Sequence, residues 1–323
     1  MKNYIKTFCI LMIIAVMFIM PTSCVGERDI RTLAEQGDAW AQNELGYMYY
    51  LGEEVPQDYE QAVYWFRLAA AQGNTAGKGN LGYMYLNGLG VSQDYTQAEH
   101  WFRLAAEQGD AWAQSELGFM YFMGQSVPQN YEQAVYWYRL AAAQGHAAGK
   151  GNLGYMYLNG LGVSQDYTQA EHWFRLAAEQ GDAWAQSELG FMYYMGRSVP
   201  QDDEQAVYWF RSAANQGNAV AQSNLASMYL DGLGIQQNYI QALYWFRLAA
   251  EQGDAFAQTE LGYMYLDGVG VQQDYTQALY WFRLAAEQGD VDAQLSLSLM
   301  YEQGLGVPQD HEQAAYWYRL AMD

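Results

Sequence analysis

Apolar residues recur along the chain with a period of 36 residues, and each period contains two runs at helical spacing. Within Asp38–Gly73 the apolar residues are Leu45, Met48 and Tyr49 in the first run and Ala62, Trp65, Phe66 and Ala69 in the second. The glycine that closes each period lies at Gly37, Gly73, Gly109, Gly145, Gly181, Gly217, Gly253 and Gly289. The pattern predicts eight helix pairs, in repeats that start near residues 38, 74, 110, 146, 182, 218, 254 and 290.

Polar residues and glycines mark the ends of the two predicted helices in each repeat. Asp38 is an N-cap candidate for the first helix, and Gly52, which recurs in every repeat, is suited to end it in the left-handed conformation. Asp58 with Gln61 three residues later predicts a capping box at the start of the second helix. Gly46 lies within the first helix, where glycine costs roughly 1 kcal/mol relative to alanine. We therefore expect a close approach between helices at this glycine.

Two helices cannot bury these apolar faces alone, so the repeats are expected to stack into an α-solenoid over residues 38–323. Residues 24–37 form a linker that contains the tail of a second-helix pattern, and we expect it to cap the first repeat. In the last repeat, Leu295 and Leu299 stand where other repeats have polar or aromatic residues. They predict an exposed apolar patch.

The N-terminal 23 residues differ from the repeats. Lys2 and Lys6 precede an apolar run of thirteen residues, Phe8–Met20, which is too short to span a bilayer. This arrangement predicts a secretory signal peptide over residues 1–23, and an uncleaved membrane anchor is the alternative. Thr22-Ser23-Cys24 resembles the lipobox of bacterial lipoproteins, whose cysteine is acylated, although Pro21 departs from that pattern. Lipidation of Cys24 and plain export to the periplasm or the medium both remain open.

Composition narrows the classes of partner. Hydrophobic residues make up 51% of the chain, enough for a core, and the formal net charge is −21. Eight of the 15 basic residues are one arginine that recurs once per repeat, so Lys and Arg do not cluster as a nucleic-acid-binding surface requires. We expect a protein or peptide partner that is basic or neutral, and no nucleic acid. We also expect a monomer that meets a membrane only through a lipid anchor.

The motif A-x-x-x-L-G-x-M-Y…G-x-G-V-x-Q-D-Y-x-Q-A-x-x-W-F-R-L-A-A-x-Q-G resembles the Sel1-like repeat, a relative of the tetratricopeptide repeat, from about Asp38 to the C-terminus. The resemblance implies an all-α fold, a right-handed α-solenoid of eight 36-residue helix-turn-helix repeats. In that family the first helices line the concave surface. The resemblance further implies a non-enzymatic adaptor or scaffold for proteins or peptides, in an exported bacterial member. A structural element of an envelope assembly or a host-interaction factor is an alternative function.

A β-lactam-binding or β-lactam-hydrolysing protein is the enzymatic alternative, because some cysteine-rich secreted members of the family resemble such proteins. Those members carry a disulfide in each repeat, whereas both cysteines of this chain, Cys9 and Cys24, precede the repeats. A nitrocefin assay on the purified chain distinguishes the enzyme from the scaffold.

The sequence contains no motif for catalysis or metal binding. G-x-S-x-G, S-x-x-K and H-E-x-x-H are all absent. The histidines are His100, His146, His172 and His311, and we interpret them as solvated positions on the second helices. His100 and His172 are equivalent positions two repeats apart, which is too far for them to share one ion. We therefore expect no catalytic residue, no metal site and no cofactor.

One face of the first helices changes from repeat to repeat. Repeats 1, 3, 5 and 7 carry an aromatic residue, a glutamate and a second aromatic residue on this face, whereas repeats 2, 4 and 6 carry an asparagine at the glutamate position. We predict a peptide-binding groove with aromatic anchors, amides for the ligand backbone and glutamates for basic side chains. Its residues are Trp40, Glu44, Tyr47, Asn80, Trp112, Glu116, Phe119, Asn152, Trp184, Glu188, Phe191, Asn224, Phe256, Glu260 and Tyr263. In the alternative interpretation, the aromatic residues pack between repeats and the polar residues are a solvated surface.

Two long stretches of the chain are identical. Ala76–Tyr121 and Ala148–Tyr193 match at all 46 positions with an offset of 72 residues. A block of two repeats has therefore been duplicated without later divergence, which a repeat array tolerates because its contacts are local.

Overall fold

The computed structural model describes residues 27–322, which form 17 α-helices and no β-strand. Helix α1 (Glu27–Glu35) precedes eight pairs, each made of an A helix and a B helix. The A helices are α2 (Ala39–Leu51), α4 (Thr75–Asn87), α6 (Ala111–Met123), α8 (Ala147–Asn159), α10 (Ala183–Met195), α12 (Ala219–Asp231), α14 (Ala255–Asp267) and α16 (Val291–Gln303). The B helices are α3 (Tyr59–Ala71), α5 (Tyr95–Glu107), α7 (Tyr131–Ala143), α9 (Tyr167–Ala178), α11 (Asp203–Asn215), α13 (Tyr239–Glu251), α15 (Tyr275–Glu287) and α17 (His311–Met322).

The chain divides into two compact parts, an N-terminal part that ends at Asp110 and a C-terminal part that begins at Ala111. In the C-terminal part, each A helix packs against the B helix of its own repeat, and that B helix packs against the next A helix. In the N-terminal part, α1 packs on α2 as a B helix would, and α2 to α5 follow in the same order. The predicted all-α solenoid is confirmed.

The predicted helix ends are largely confirmed. Asp38 accepts a hydrogen bond from the backbone N–H of Ala41 at 2.7 Å, and Gly52 ends α2 with φ 76°. Asp58 accepts from the backbone N–H of Gln61 at 3.0 Å. The capping box also predicts a bond from the backbone N–H of Asp58 to the Gln61 side chain, and this prediction is wrong. The N–H of Asp58 donates to the carbonyl of Tyr49 at 2.9 Å instead. This bond anchors the loop to the A helix that precedes it.

The core of repeats 1 to 7 contains alanines around one large ring of the B helix, together with a leucine and, in most of these repeats, a methionine of the A helix. Ala62, Ala69 and Phe66 of α3 are at most 1% exposed. A Cβ at Gly46 would lie 2.7 Å from Cδ1 of Phe66, so glycine is needed because a ring of the paired B helix lies against α2. In the last repeat, Leu299 is 59% exposed, as expected of the apolar patch predicted there, whereas Leu295 is only half-exposed.

The recurring arginine joins one repeat to the next. Its Nη2 donates to the hydroxyl of a tyrosine 18 residues later, on the following A helix, at distances between 2.7 and 3.2 Å. Arg247 bonds to Tyr265 in this way at 2.8 Å. The recurring arginines, which are most of the basic residues, therefore hold neighbouring repeats together.

A recurring glutamine pair has a similar structural role. In repeat 5, Nε2 of Gln186 donates to the carbonyl of Ala178 on the preceding B helix at 3.0 Å. Gln216, at the end of α11, in turn donates to Oε1 of Gln186 at 2.8 Å. Because the buried amide of Gln186 both donates and accepts a hydrogen bond, it adds specificity to the stacking without an unsatisfied polar group.

Candidate functional site

The predicted groove residues lie on the A helices, at the third, seventh and tenth positions counted from the N-cap as the first. We call this surface the A-face. Trp40, Glu44, Tyr47 and Asn80 belong to the N-terminal part of the chain, and the remaining eleven belong to the C-terminal part. All fifteen are half-buried or exposed, whereas the leucine between the seventh and tenth positions is fully buried, as Leu189 is on α10. The A-face is therefore accessible in both parts.

The aromatic residues at the third position pack partly on the preceding repeat. The ring of Trp184 lies 5.8 Å from the ring of Tyr155 on α8 and 5.6 Å from the ring of Phe174 on α9. Phe256 lies 6.1 Å from Phe246 on α13 but remains 49% exposed, and Trp40 is 53% exposed. Trp184 thus contributes to packing between repeats, while Trp40 and Phe256 also present surface to solvent.

The aromatic residues at the tenth position form pairs in three repeats. Phe119 stacks on Phe122 at 6.3 Å, Phe191 lies 6.5 Å from Tyr194, and Tyr47 stacks on Tyr50 at 6.0 Å. In repeat 7, Tyr263 instead packs on Phe282 at 5.0 Å, and its hydroxyl is 3.0 Å from Oγ of Ser296.

The glutamates at the seventh position are partly buried, so their carboxylates are partly shielded from water. Burial raises the pKa of Glu116 from 4.5 to about 7, although a hydrogen bond from Trp112 opposes the rise. Burial also raises the pKa of Glu188, and here a hydrogen bond from Trp184 and the charge of Arg197 oppose it. A carboxylate with a raised pKa gains from a cation placed beside it.

Glu44 and Glu260 resemble Glu116 in forming no ion pair with the side chains described between residues 30 and 322. Burial raises the pKa of Glu44, and a hydrogen bond from Asn43 opposes the rise. Burial raises the pKa of Glu260 as well, and the charges of Asp231, Asp292 and Asp290 add to this effect. The A-face therefore carries uncompensated negative charge in both parts.

The asparagines at the seventh position differ in their bonds. Nδ2 of Asn80 donates to Oδ1 of Asn43 at 2.9 Å, and Nδ2 of Asn224 donates to the carbonyl of Val220 at 2.8 Å. Asn152 is half-buried on α8. Two of the three side-chain amides thus already use one of their two N–H donors inside the protein.

One residue of the site was missed by sequence reasoning. Arg197, in the loop after α10, places its guanidinium carbon 5.8 Å from the centroid of the Phe191 ring. The equivalent residues are Glu53 and Gln125 in repeats 1 and 3, but Leu89, Leu161 and Leu233 in repeats 2, 4 and 6. This switch from apolar to polar was the available signal, since it follows the alternation of the A-face in repeats 1 to 6, although repeat 7 carries the apolar Val269.

The histidines do not form a shared site. His100, His172 and His311 are exposed on B helices, as predicted. His146 is different, because it caps the A helix α8: its Nδ1 accepts from the backbone N–H of Gly149 at 3.2 Å, and burial lowers its pKa. Within residues 27–322, no three His, Cys, Asp or Glu side chains are grouped so that they could hold a metal ion.

The predicted signal peptide and Cys24 lie outside the described residues. Among the helices between residues 27 and 322, none has the length and apolar character needed to cross a membrane.

Comparison with known proteins identifies the repeats. The model of the Sel1 repeat matches residues 41–74, 79–110, 113–146, 150–182, 185–218, 219–254, 255–290 and 291–323. The crystal structure of a protective antigen present in uropathogenic Escherichia coli strains, which displays an SLR fold, is 42% identical over 93% of this chain, with a TM-score of 0.78. This chain spans 64% of the length of that antigen.

A second solved structure is similar over most of both chains. The Sel1 repeat protein from Oxalobacter formigenes is 34% identical, and the match covers 91% of this chain and 85% of that protein, with a TM-score of 0.63. No curated protein sequence matches the chain.

Proposed function

The chain belongs to the Sel1 repeat family, and we propose on that basis that it is an exported, non-enzymatic scaffold that binds a protein or peptide on its A-face. Proteins built from Sel1 repeats are generally protein-interaction scaffolds. Binding on the A-face, a basic partner and export of the chain go beyond what membership of the family shows.

One contrast carries the choice of the A-face. Recurring polar residues form bonds within the architecture: Arg247 bonds a tyrosine of the next repeat, and the N-cap residue Asp254 accepts from a backbone amide. The A-face residues change between repeats and keep exposed rings and half-buried carboxylates. Aromatic side chains with a polar neighbour are the residue types that dominate binding energy at protein interfaces.

The charge of the A-face favours a basic partner. Glu44, Glu116 and Glu260 form no ion pair with a Lys, Arg or His of residues 27–322. Lysine or arginine side chains of a partner would supply the missing positive charge, and the net charge of −21 would speed their approach.

Replacing Phe119 and Phe191 together by alanine is expected to weaken partner binding by at least about tenfold, because both rings are half-buried aromatic residues on the A-face. The full chain serves as bait, a protein retained by it is purified, and its dissociation constant is measured for wild type and variant. Circular dichroism shows whether the helices remain intact.

The matched control is the double variant Tyr136→Ala and Tyr208→Ala, in the same two repeats but on the B helices, where these rings are 51% and 57% exposed. It is expected to bind like wild type. The A-face assignment is wrong if the control loses binding while the Phe119 and Phe191 variant keeps it.

We propose export through cleavage of residues 1–23, with Cys24 acylated or free. The two lysines, the short apolar run and the small residues before Cys24 support this export. Mass spectrometry of the full chain expressed in a bacterium should find a mature protein that begins at or near Cys24.

Incorporation of a fatty-acid analogue separates the two forms of export. A lipoprotein takes up the label in wild type and not in Cys24→Ser, whereas a plainly exported protein takes up none. Recovery of the chain with residues 1–23 still attached would contradict cleavage.

A further inference from the structure

The contact between Arg197 and the A-face shows which chemical group the seventh and tenth positions accommodate. The guanidinium of Arg197 lies over the ring of Phe191, 5.8 Å from its centroid, and its charge favours the ionised form of Glu188. A cation over an aromatic face is attracted by the ring quadrupole, and a nearby carboxylate adds to the attraction. In repeat 5 the protein therefore supplies its own cation to a carboxylate and a ring.

Repeat 3 carries the same carboxylate and ring without the cation. Glu116 and Phe119 lie in one copy of the duplicated 46-residue stretch, and Glu188 and Phe191 lie in the other. The first difference with a charge comes just after the identical stretch, where Gln125 stands in place of Arg197. The two sites therefore have the same carboxylate and ring, but the loop supplies a cation in repeat 5 and an uncharged glutamine in repeat 3.

Glu116 is a partly buried carboxylate whose environment differs from that of Glu188. Its carboxylate accepts a hydrogen bond from Trp112, and burial raises its pKa to about 7. Burial raises the pKa of Tyr138 on α7, and the charge of Glu116 adds to this effect. No Lys, Arg or His of residues 27–322 pairs with it.

Arginine fits this site better than lysine does. Its guanidinium is planar and weakly hydrated, so one face can stack on a ring while an edge is directed at a carboxylate. An ammonium group is a compact and strongly hydrated charge, which loses more solvation in a half-buried place. The observed occupant in repeat 5 is accordingly an arginine.

We propose that Glu116 and Phe119 form a subsite for the arginine side chain of a bound protein or peptide, and that Arg197 fills the equivalent subsite of repeat 5 from within the chain. The proposal rests on the proposed function, because it names the side chain that the A-face recognises. Repeat 7 is not included, since Tyr263 is engaged by Phe282 and Ser296.

Acetyl-arginine amide tests the subsite without a known partner. The full chain is labelled with ¹³C-phenylalanine, and the probe is titrated at pH 8 with acetyl-lysine amide and acetyl-citrulline amide as controls. We expect the arginine probe to shift the Phe119 signals and to bind at least about tenfold more tightly than the uncharged citrulline probe. Phe191 signals should not respond in wild type.

Two reciprocal loop variants provide the matched controls. Gln125→Arg should fill the subsite of repeat 3 and abolish the Phe119 response, and Arg197→Gln should vacate repeat 5 and create a Phe191 response of similar strength. Equal binding of the three probes, or an unchanged Phe191 response in Arg197→Gln, overturns the proposal.

The outcome separates this proposal from the proposed function. If a partner is captured through Phe119 and Phe191 but the arginine probe shows no preference, the A-face remains the binding surface and the arginine subsite is wrong. If the probe behaves as expected and no partner depends on these rings, the subsite stands and the scaffold function on this face fails.

Discussion

Gly162→Ala is expected to lower the free energy of unfolding by about 3 kcal/mol, whereas Gly181→Ala should lower it by about 1 kcal/mol. Gly162, in the loop after α8, has φ 67°, and a Cβ there would lie 2.4 Å from the carbonyl carbon and oxygen of Tyr131. Tyr131 is the first residue of α7, so the obstacle is the backbone of a helix and not a side chain that can turn away. The variant must therefore shift a loop against the preceding repeat.

Gly181 is the matched control because it has the same kind of backbone without the contact. Its φ is 92°, and a Cβ there would meet nothing within 4 Å. Both substitutions reduce the freedom of the unfolded chain equally, so the difference between them isolates the contact. Urea unfolding followed by circular dichroism measures both. Equal losses would show that the left-handed backbone alone sets the cost.

Local features of the fold could be predicted from the sequence because their causes lie within a few residues. An aspartate followed by a free backbone amide three residues later forms the N-cap at Asp38, whatever the rest of the chain does. The same holds for Gly52, whose missing side chain permits the left-handed end of α2. The period of 36 residues then extends each local prediction to the whole array.

Features that depend on contacts between repeats were harder to predict from the sequence. The Arg247–Tyr265 bond joins residues that look like separate recurring positions in the sequence, and only the stacking of two helices brings them together. His146 was interpreted as a solvated position on a second helix, yet it occupies the place of an N-cap aspartate. The offset of 36 residues from Asp110 and Asp182 was the signal for its role.

The residues of the candidate site could be proposed from the sequence, but the burial of its carboxylates and the position of Arg197 could not. The alternation of Glu116, Asn152 and Glu188 is a sequence pattern. The burial of each carboxylate, however, depends on how the surrounding side chains pack in the folded protein. The role of Arg197 depends on a loop that turns its guanidinium back over the preceding helix. The sequence shows that this loop position changes between apolar and polar residues, but it does not show that the guanidinium reaches the ring of Phe191.

Glu116→Gln is expected to stabilise the protein at pH 8 by on the order of 3 kcal/mol and to leave its stability at pH 4 nearly unchanged. The pKa of Glu116 rises from 4.5 to about 7 on folding. Between these values the folded state holds a proton that the unfolded state has lost, so wild-type stability falls as the pH rises through this window. Glutamine carries no charge at any pH and can still accept the bond from Trp112.

The measurement is the difference in unfolding free energy between wild type and Glu116→Gln at several pH values from 4 to 8, since the other titrating groups cancel in the difference. Glu132→Gln on the exposed surface of α7 is the control and should change stability by less than about 0.5 kcal/mol throughout. A difference that stays constant with pH would mean that the Glu116 carboxylate reaches water in the folded protein. Glu116 would then have no unfavourable charge for an arginine ligand to relieve, and the same result would weaken the case for the arginine subsite.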